Sequence, residues 1–107
     1  MNKFHAKKVM LDGIEFDSRR EANRYAELKQ MERAGLICDL RLQEEFELIP
    51  KFGKERAAKY HCDFSYTDTE TGEKIVEDVK SRATRTKDYI LRRKIMNWRY
   101  NIQIREV

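Results

Sequence analysis

From Tyr60 to Tyr66 the chain alternates without a slip, Tyr60, Cys62, Phe64 and Tyr66 standing between His61, Asp63 and Ser65. A period of two puts these sets on opposite faces of an extended strand. Such a strand needs neighbours to satisfy its backbone and a layer to cover its apolar face, so the chain must build a sheet. The expected partner is close by. Thr69 to Glu73, with Gly72, supplies a turn, and Ile75 to Lys80 returns with Val76, Asp78 and Lys80 on one face and Ile75, Glu77 and Val79 on the other.

Upstream, Val9 to Leu11 and Ile14 to Phe16 flank Asp12-Gly13, a dipeptide suited to a type I′ turn, so a short hairpin opens the chain. Ser18 and Glu21 have capping-box spacing, Ala22, Tyr25, Ala26, Leu28 and Met31 follow at helical spacing, and Gly35 is placed to stop the helix. Leu40 with Leu42, and Phe46 with Leu48, alternate with polar neighbours and read as strands; Pro50 and Gly53 mark a break after them. A second helix is expected from Thr86 to about Tyr100 on the spacing of Leu91, Ile95 and Trp98, with Asn101 as its left-handed stop and a last strand from Ile102 to Val107. Tyr60, Phe64, Tyr66 and Trp98 follow these periodicities and are assigned to the core rather than to a base-stacking platform. The expected class is α/β, a mixed sheet with helices packed on it. With 107 residues, one Pro and no low-complexity stretch, residues 1–107 read as a single domain.

The net charge of +4 matters less than its distribution. From Lys80 to Lys94 stand Lys80, Arg82, Arg85, Lys87, Arg92, Arg93 and Lys94, with Asp88 as the one acidic residue among them. Acidic residues gather instead at Glu44, Glu45 and Glu47 and between Asp68 and Asp78. Segregation of this kind suits an anionic partner, and equally suits a solvated helix face. Cys38 and Cys62 lack CxxC spacing and read as a reduced intracellular pair. No apolar leader core follows Met1 to Lys8 and no apolar run could cross a bilayer, so the expectation is a soluble protein that stays inside the cell, away from membranes.

The chemistry converges on the two alternating strands. Asp63 on one and Asp78-Val79-Lys80 on the other would place two carboxylates where they can share a divalent cation, since Mg2+ prefers oxygen donors and keeps several waters. Such a cation would acidify a bound water and neutralise charge on a phosphate. Lys80, two residues after Asp78, shares its face and could hold the attacking water or stabilise developing charge. An Asp-x-Lys triplet alone reads first as a surface ion pair worth little. The basic segment directly after it favours phosphate chemistry, because phosphate contacts position nucleic acid without reading sequence.

The stretch KYHCDFSY from Lys59 to Tyr66, followed by VEDVKS from Val76 to Ser81, resembles the core motif of the PD-(D/E)XK nuclease superfamily. GIEFDSRREANRY from Gly13 to Tyr25 and LQEEFEL from Leu42 to Leu48 are similar to a family of short phage and prophage proteins within it. The likeness spans nearly the whole chain. It implies a restriction-endonuclease-like core of order α-β-β-β-α-β behind the hairpin and a Mg2+- or Mn2+-dependent endonuclease acting on double-stranded or branched DNA, akin to resolvases. It also implies a phage- or prophage-encoded protein in the cytoplasm of a bacterial host. On the matching positions Asp63 and Asp78 become the metal carboxylates, Lys80 the catalytic lysine and Glu21 the first-helix glutamate that assists metal or water. Cys62 stands where the superfamily motif carries Pro.

Several of these residues have a plainer reading. Glu21 is also the third helical residue of the capping box headed by Ser18, although it shares a stripe with Tyr25 and Leu28 and so borders the buried side. Gln43 could touch DNA or a metal-held water, or be a polar strand-edge residue. His61 could reach phosphate or lie at the surface, and Glu77, facing away from Asp78, suits a structural pairing. The DNA grip is assigned to Arg82, Arg85, Lys87, Arg93, Lys94 and Gln43. A homodimer would let the enzyme cut both strands. The alternative is a non-catalytic DNA-binding or inhibitor protein on the same fold, with the acidic cluster purely structural; the intact set of Asp63, Asp78 and Lys80 favours the enzyme.

Overall fold

A computed structural model describes residues 8–80 and 84–107. Asp12 and Gly13 both take positive φ, 53° and 77°, as a type I′ turn requires, and join β1 (Val9–Leu11) to β2 (Ile14–Phe16). The Ser18 hydroxyl accepts the Glu21 backbone N–H at 3.1 Å and starts α1 (Arg19–Arg33). At its far end the Gly35 N–H reaches the Glu32 carbonyl and the Leu36 N–H the Met31 carbonyl, a Schellman closure that puts Gly35 in the left-handed region.

The chain continues through β3 (Ile37–Leu42), β4 (Glu45–Ile49), β5 (Ala58–His61), β6 (Phe64–Asp68), β7 (Lys74–Asp78), α2 (Lys87–Tyr100) and β8 (Arg105–Glu106). The main sheet has the order β3-β6-β7-β8, with β7 and β8 parallel and the other pairs antiparallel. The result is a mixed sheet between two helices, the α/β class expected. One core gathers Phe16, Tyr25, Leu28, Phe64 and Tyr66 on the α1 side, and a second gathers Phe46, Leu48, Tyr60, Cys62, Val76 and Met96 on the α2 side. Among the described residues no helix is long and apolar enough to cross a membrane.

Three expectations need correction. The run from Tyr60 to Tyr66 is two strands: β5 pairs with β4 in a separate ribbon, and β6 pairs with β3 and β7. Gln43, opposite the joint, has φ 53° and donates its N–H to the Asp63 carbonyl at 3.2 Å, while the Cys62 N–H bonds the Glu44 carbonyl at 3.2 Å. A left-handed residue between β3 and β4 turns the ribbon away from the sheet, so Tyr60 and Cys62 meet the α2 core while Phe64 and Tyr66 meet the α1 core.

The second correction concerns α2. Its ends fall where expected, with the Thr86 hydroxyl capping Tyr89 and Asn101 at φ 55°, but its buried stripe is Tyr89 and Met96. Trp98 is 83% exposed and Leu91 56%, so Trp98 is not a core residue. Both pairs have the i, i+7 spacing of one helical face, and spacing alone cannot rank them. The third is that β8 is shorter than Ile102 to Val107, although Ile104 of that stretch is buried.

The two faces of β7 bury charge differently. Glu77 is fully buried on the α1 side, where Arg24 grips it through two bonds, Nε to Oε1 at 2.8 Å and Nη2 to Oε2 at 2.6 Å, and the Tyr66 hydroxyl donates to the same carboxylate. This is the structural pairing expected for Glu77. Removing one partner of such a pair leaves an uncompensated buried charge. Arg24→Met should therefore cost about 3 kcal/mol in a urea melt, and adding Glu77→Gln should recover more than half of that loss. No recovery in the double variant would show that Arg24 acts through packing rather than charge.

Candidate active site

The kink brings Asp63 to the start of β6, beside the end of β7. There the Asp63 N–H donates to Asp78 Oδ1 at 3.0 Å, and the Val79 N–H donates to Asp63 Oδ2 at 2.7 Å. Each strand thus holds the other's carboxylate with its own backbone. The Tyr60 hydroxyl, arriving from the ribbon side, donates to Asp78 Oδ2. Parallel pairing fixes the far side, where the Val107 N–H bonds the Asp78 carbonyl at 2.9 Å and the Lys80 N–H bonds the Val107 carbonyl at 3.2 Å.

These residues line a cleft of about 310 Å³ with Lys59, Tyr60, His61, Asp63, Asp78, Lys80, Thr84, Thr86, Asp88, Tyr89 and Arg92 on its walls. A second cleft of about 260 Å³ holds Glu21, Gln43 and Asp63, so Asp63 faces both. Three larger grooves, of about 400, 740 and 850 Å³, each have a single carboxylate side chain on their walls and carry no comparable chemistry. The Lys80 ammonium lies 4.3 Å from the centre of the Tyr89 ring, a cation–π contact that props it at the cleft wall.

Electrostatics mark the same spot. Burial lifts Asp78 from its ordinary 3.8 to about 6; the charge on Asp63 adds to the rise, and the Tyr60 hydroxyl and Lys80 oppose it. Asp63 is raised chiefly by burial, against the Val79 amide and Lys80. Glu21 rises from 4.5 to about 7 through burial and the charges of Asp63, Asp17 and Asp78. Three acids in one place that disfavour their own ionisation are a frequent mark of a functional site. Among the described residues no three His, Cys, Asp or Glu groups converge tightly enough to form a ready metal cluster. The donors still fit a hard divalent ion, which takes one or two carboxylates and fills its other positions with water and substrate phosphate.

The remaining expected residues divide. Arg85 and Arg93 both bind Glu106, at 2.5 and 2.8 Å, and Glu106 also accepts the Tyr89 hydroxyl at 2.9 Å. They brace β8 against α2, a role that competes with gripping DNA. Lys87 and Lys94 are exposed with no ion pair among the described residues, and Arg82 lies outside the described residues. His61 lines the cleft and meets Glu45 at 3.1 Å. The sequence reading missed Tyr60, Lys59 and Arg92 as site residues. Tyr60 was legible in principle, because a buried phenol needs a partner for its hydroxyl. Arg92 reaches the cleft through the Lys59 carbonyl at 3.4 Å and Asp88 at 3.4 Å, contacts that only the tertiary fold creates.

The family model described as "Protein of unknown function (DUF1064)" matches residues 1–106. No curated protein and no solved structure matches the chain.

A carboxyl group raised in the folded state contributes stability that is complete below its unfolded value and lost as pH rises through its folded value. For Glu21 that loss runs from about pH 4.5 to about 7. In chelator, Glu21→Gln should therefore become more stable relative to the parent as pH rises across this window, as read from urea melts at successive pH values. A gap that does not change with pH would mean that neither burial nor the neighbouring acids raise Glu21.

Proposed function

We propose that this chain, which belongs to the DUF1064 family, is a divalent-cation-dependent endodeoxyribonuclease on a restriction-endonuclease-like core. The observation that carries the reading is the reciprocal clasp of Asp63 and Asp78, with Lys80 on the wall of the same cleft. The order α1, β3, β6, β7, α2, β8, with β4 and β5 as an extended ribbon, supports the α-β-β-β-α-β core.

The reaction is hydrolysis: water oxygen bonds to phosphorus, one ester P–O bond breaks, the water loses a proton and the leaving oxygen gains one. Asp63 and Asp78 would hold Mg2+ or Mn2+, which would neutralise charge on the phosphate and acidify the attacking water. Tyr60 and the Val79 amide fix the orientation of the two carboxylates, so little reorganisation is needed. Lys80 puts a positive charge where negative charge grows on the phosphate. Glu21, in the adjoining cleft that shares Asp63, is the carboxylate that accepts the proton of the attacking water. Lys59, His61 and Arg92 on the cleft rim face the nucleic-acid backbone; their partners Glu45 and Asp88 are exposed, and such pairs are weak enough to exchange for phosphate.

Relaxation and linearisation of supercoiled plasmid should require Mn2+ or Mg2+, cease in chelator, and disappear in Asp78→Ala without loss of fold. Lys80→Ala should lower turnover by about a hundredfold or more while Mn2+ affinity stays near that of the parent. Cutting that persists in chelator or in Asp78→Ala would overturn the assignment.

A further inference from the structure

Positions 87, 91, 94 and 98 of α2 fall on one stripe, at helical steps of four, three and four, opposite the buried Met96. The stripe presents Lys87, Leu91, Lys94 and Trp98. Trp98 is 83% exposed and Leu91 56%, and neither lysine has an ion pair among the described residues. The only acid on α2, Asp88, is turned to Arg92 at 3.4 Å. An indole and a leucine exposed on one stripe with two unopposed ammonium groups form an apolar strip rimmed by charge, the kind of surface that marks an interaction site.

We propose that this outer face of α2 binds single-stranded DNA, with the Trp98 indole stacked on an unpaired base, Lys94 on a neighbouring phosphate and Lys87 on one further along the strand. Aromatic faces set along a basic track are how proteins hold unpaired strands, since every base offers a π-face and every linkage a negative charge. Bases stacked within a duplex have no face free to meet the indole, so duplex DNA fits less well. A second copy of the chain fits less well: pairing this face with itself gathers the two lysines of each copy at one seam, with no carboxylate on the stripe to neutralise them. Thr86, Asp88, Tyr89 and Arg92 line the cutting cleft, so the Lys87 end of the stripe adjoins it, and Trp98 lies about 16 Å further along the helix. The surface would hold the unpaired arm of a branched or gapped substrate while the cleft acts nearby. This use of the surface rests on the nuclease reading; the binding itself does not.

Trp98 is the single tryptophan of the chain and reports on its own surroundings. In chelator, where no cutting occurs, adding a thymidine oligonucleotide of about 20 residues should quench its fluorescence saturably, and a blunt duplex of the same length should do so less. Trp98→Ala should weaken binding of the oligonucleotide about tenfold without lowering the melting temperature, and Trp98→Phe should keep most of the affinity. Replacing Lys87 and Lys94 by Gln should reduce the salt slope by about 1.4. Unchanged fluorescence on saturation with the oligonucleotide would overturn the proposal. So would equal quenching by duplex, or an emission shift with protein concentration alone that tracks dimer formation in sedimentation. Failure to cut plasmid would count against the nuclease reading and leave this titration unaffected.

Discussion

The Asp63 amide on the Asp78 carboxylate, and the Val79 amide on the Asp63 carboxylate, tie the start of β6 to the end of β7. Asp63 is also the hinge at which the ribbon of β4 and β5 leaves the sheet, with Gln43 in the left-handed region across from it. That swing delivers Tyr60 to Asp78 and sets Lys59 and His61 on the cleft rim. The adjacent acids Glu77 and Asp78 are compensated differently. Both are buried, yet Arg24 grips Glu77 with two hydrogen bonds, whereas Asp78 meets a phenol, an amide and the repelling charge of Asp63, offset in part by Lys80. Charge neutralised from within braces a fold. Charge left short of a cation is what a site for an external one requires.

Local chemistry was readable without the fold. The Asp12-Gly13 turn, the Ser18 cap, the Gly35 closure and the Asn101 stop each depend on a few neighbouring residues, and each stands where the sequence put it. The carboxylate pair was readable because alternation carries across the joint even though the strand does not. The joint was hidden for a related reason: its cause, Gln43, lies twenty residues upstream between β3 and β4, and nothing in the run from Tyr60 to Tyr66 marks it. The inner face of α2 was misassigned because two stripes have equal spacing, and the more apolar of them, with Leu91 and Trp98, is the one left outside.

Long-range pairing also redistributes the basic segment. Glu106, in the last strand, takes up Arg85 and Arg93, so the charge run after Lys80 is in part a brace between β8 and α2. Lys59, His61 and Arg92 line the cleft beside the exposed carboxylates of Glu45 and Asp88, while Lys87 and Lys94 stand on the outer stripe of α2 with no ion pair among the described residues.

The central claim is that the carboxylates are held short of positive charge for a divalent ion. Calorimetric titration of Mn2+ at pH 6.5, in buffers of different ionisation enthalpy, tests it directly. With Asp78 raised to about 6 and Glu21 to about 7, binding should displace roughly one proton, and the measured heat should change with the buffer accordingly. Binding with no buffer dependence, or no binding at all, would contradict the account.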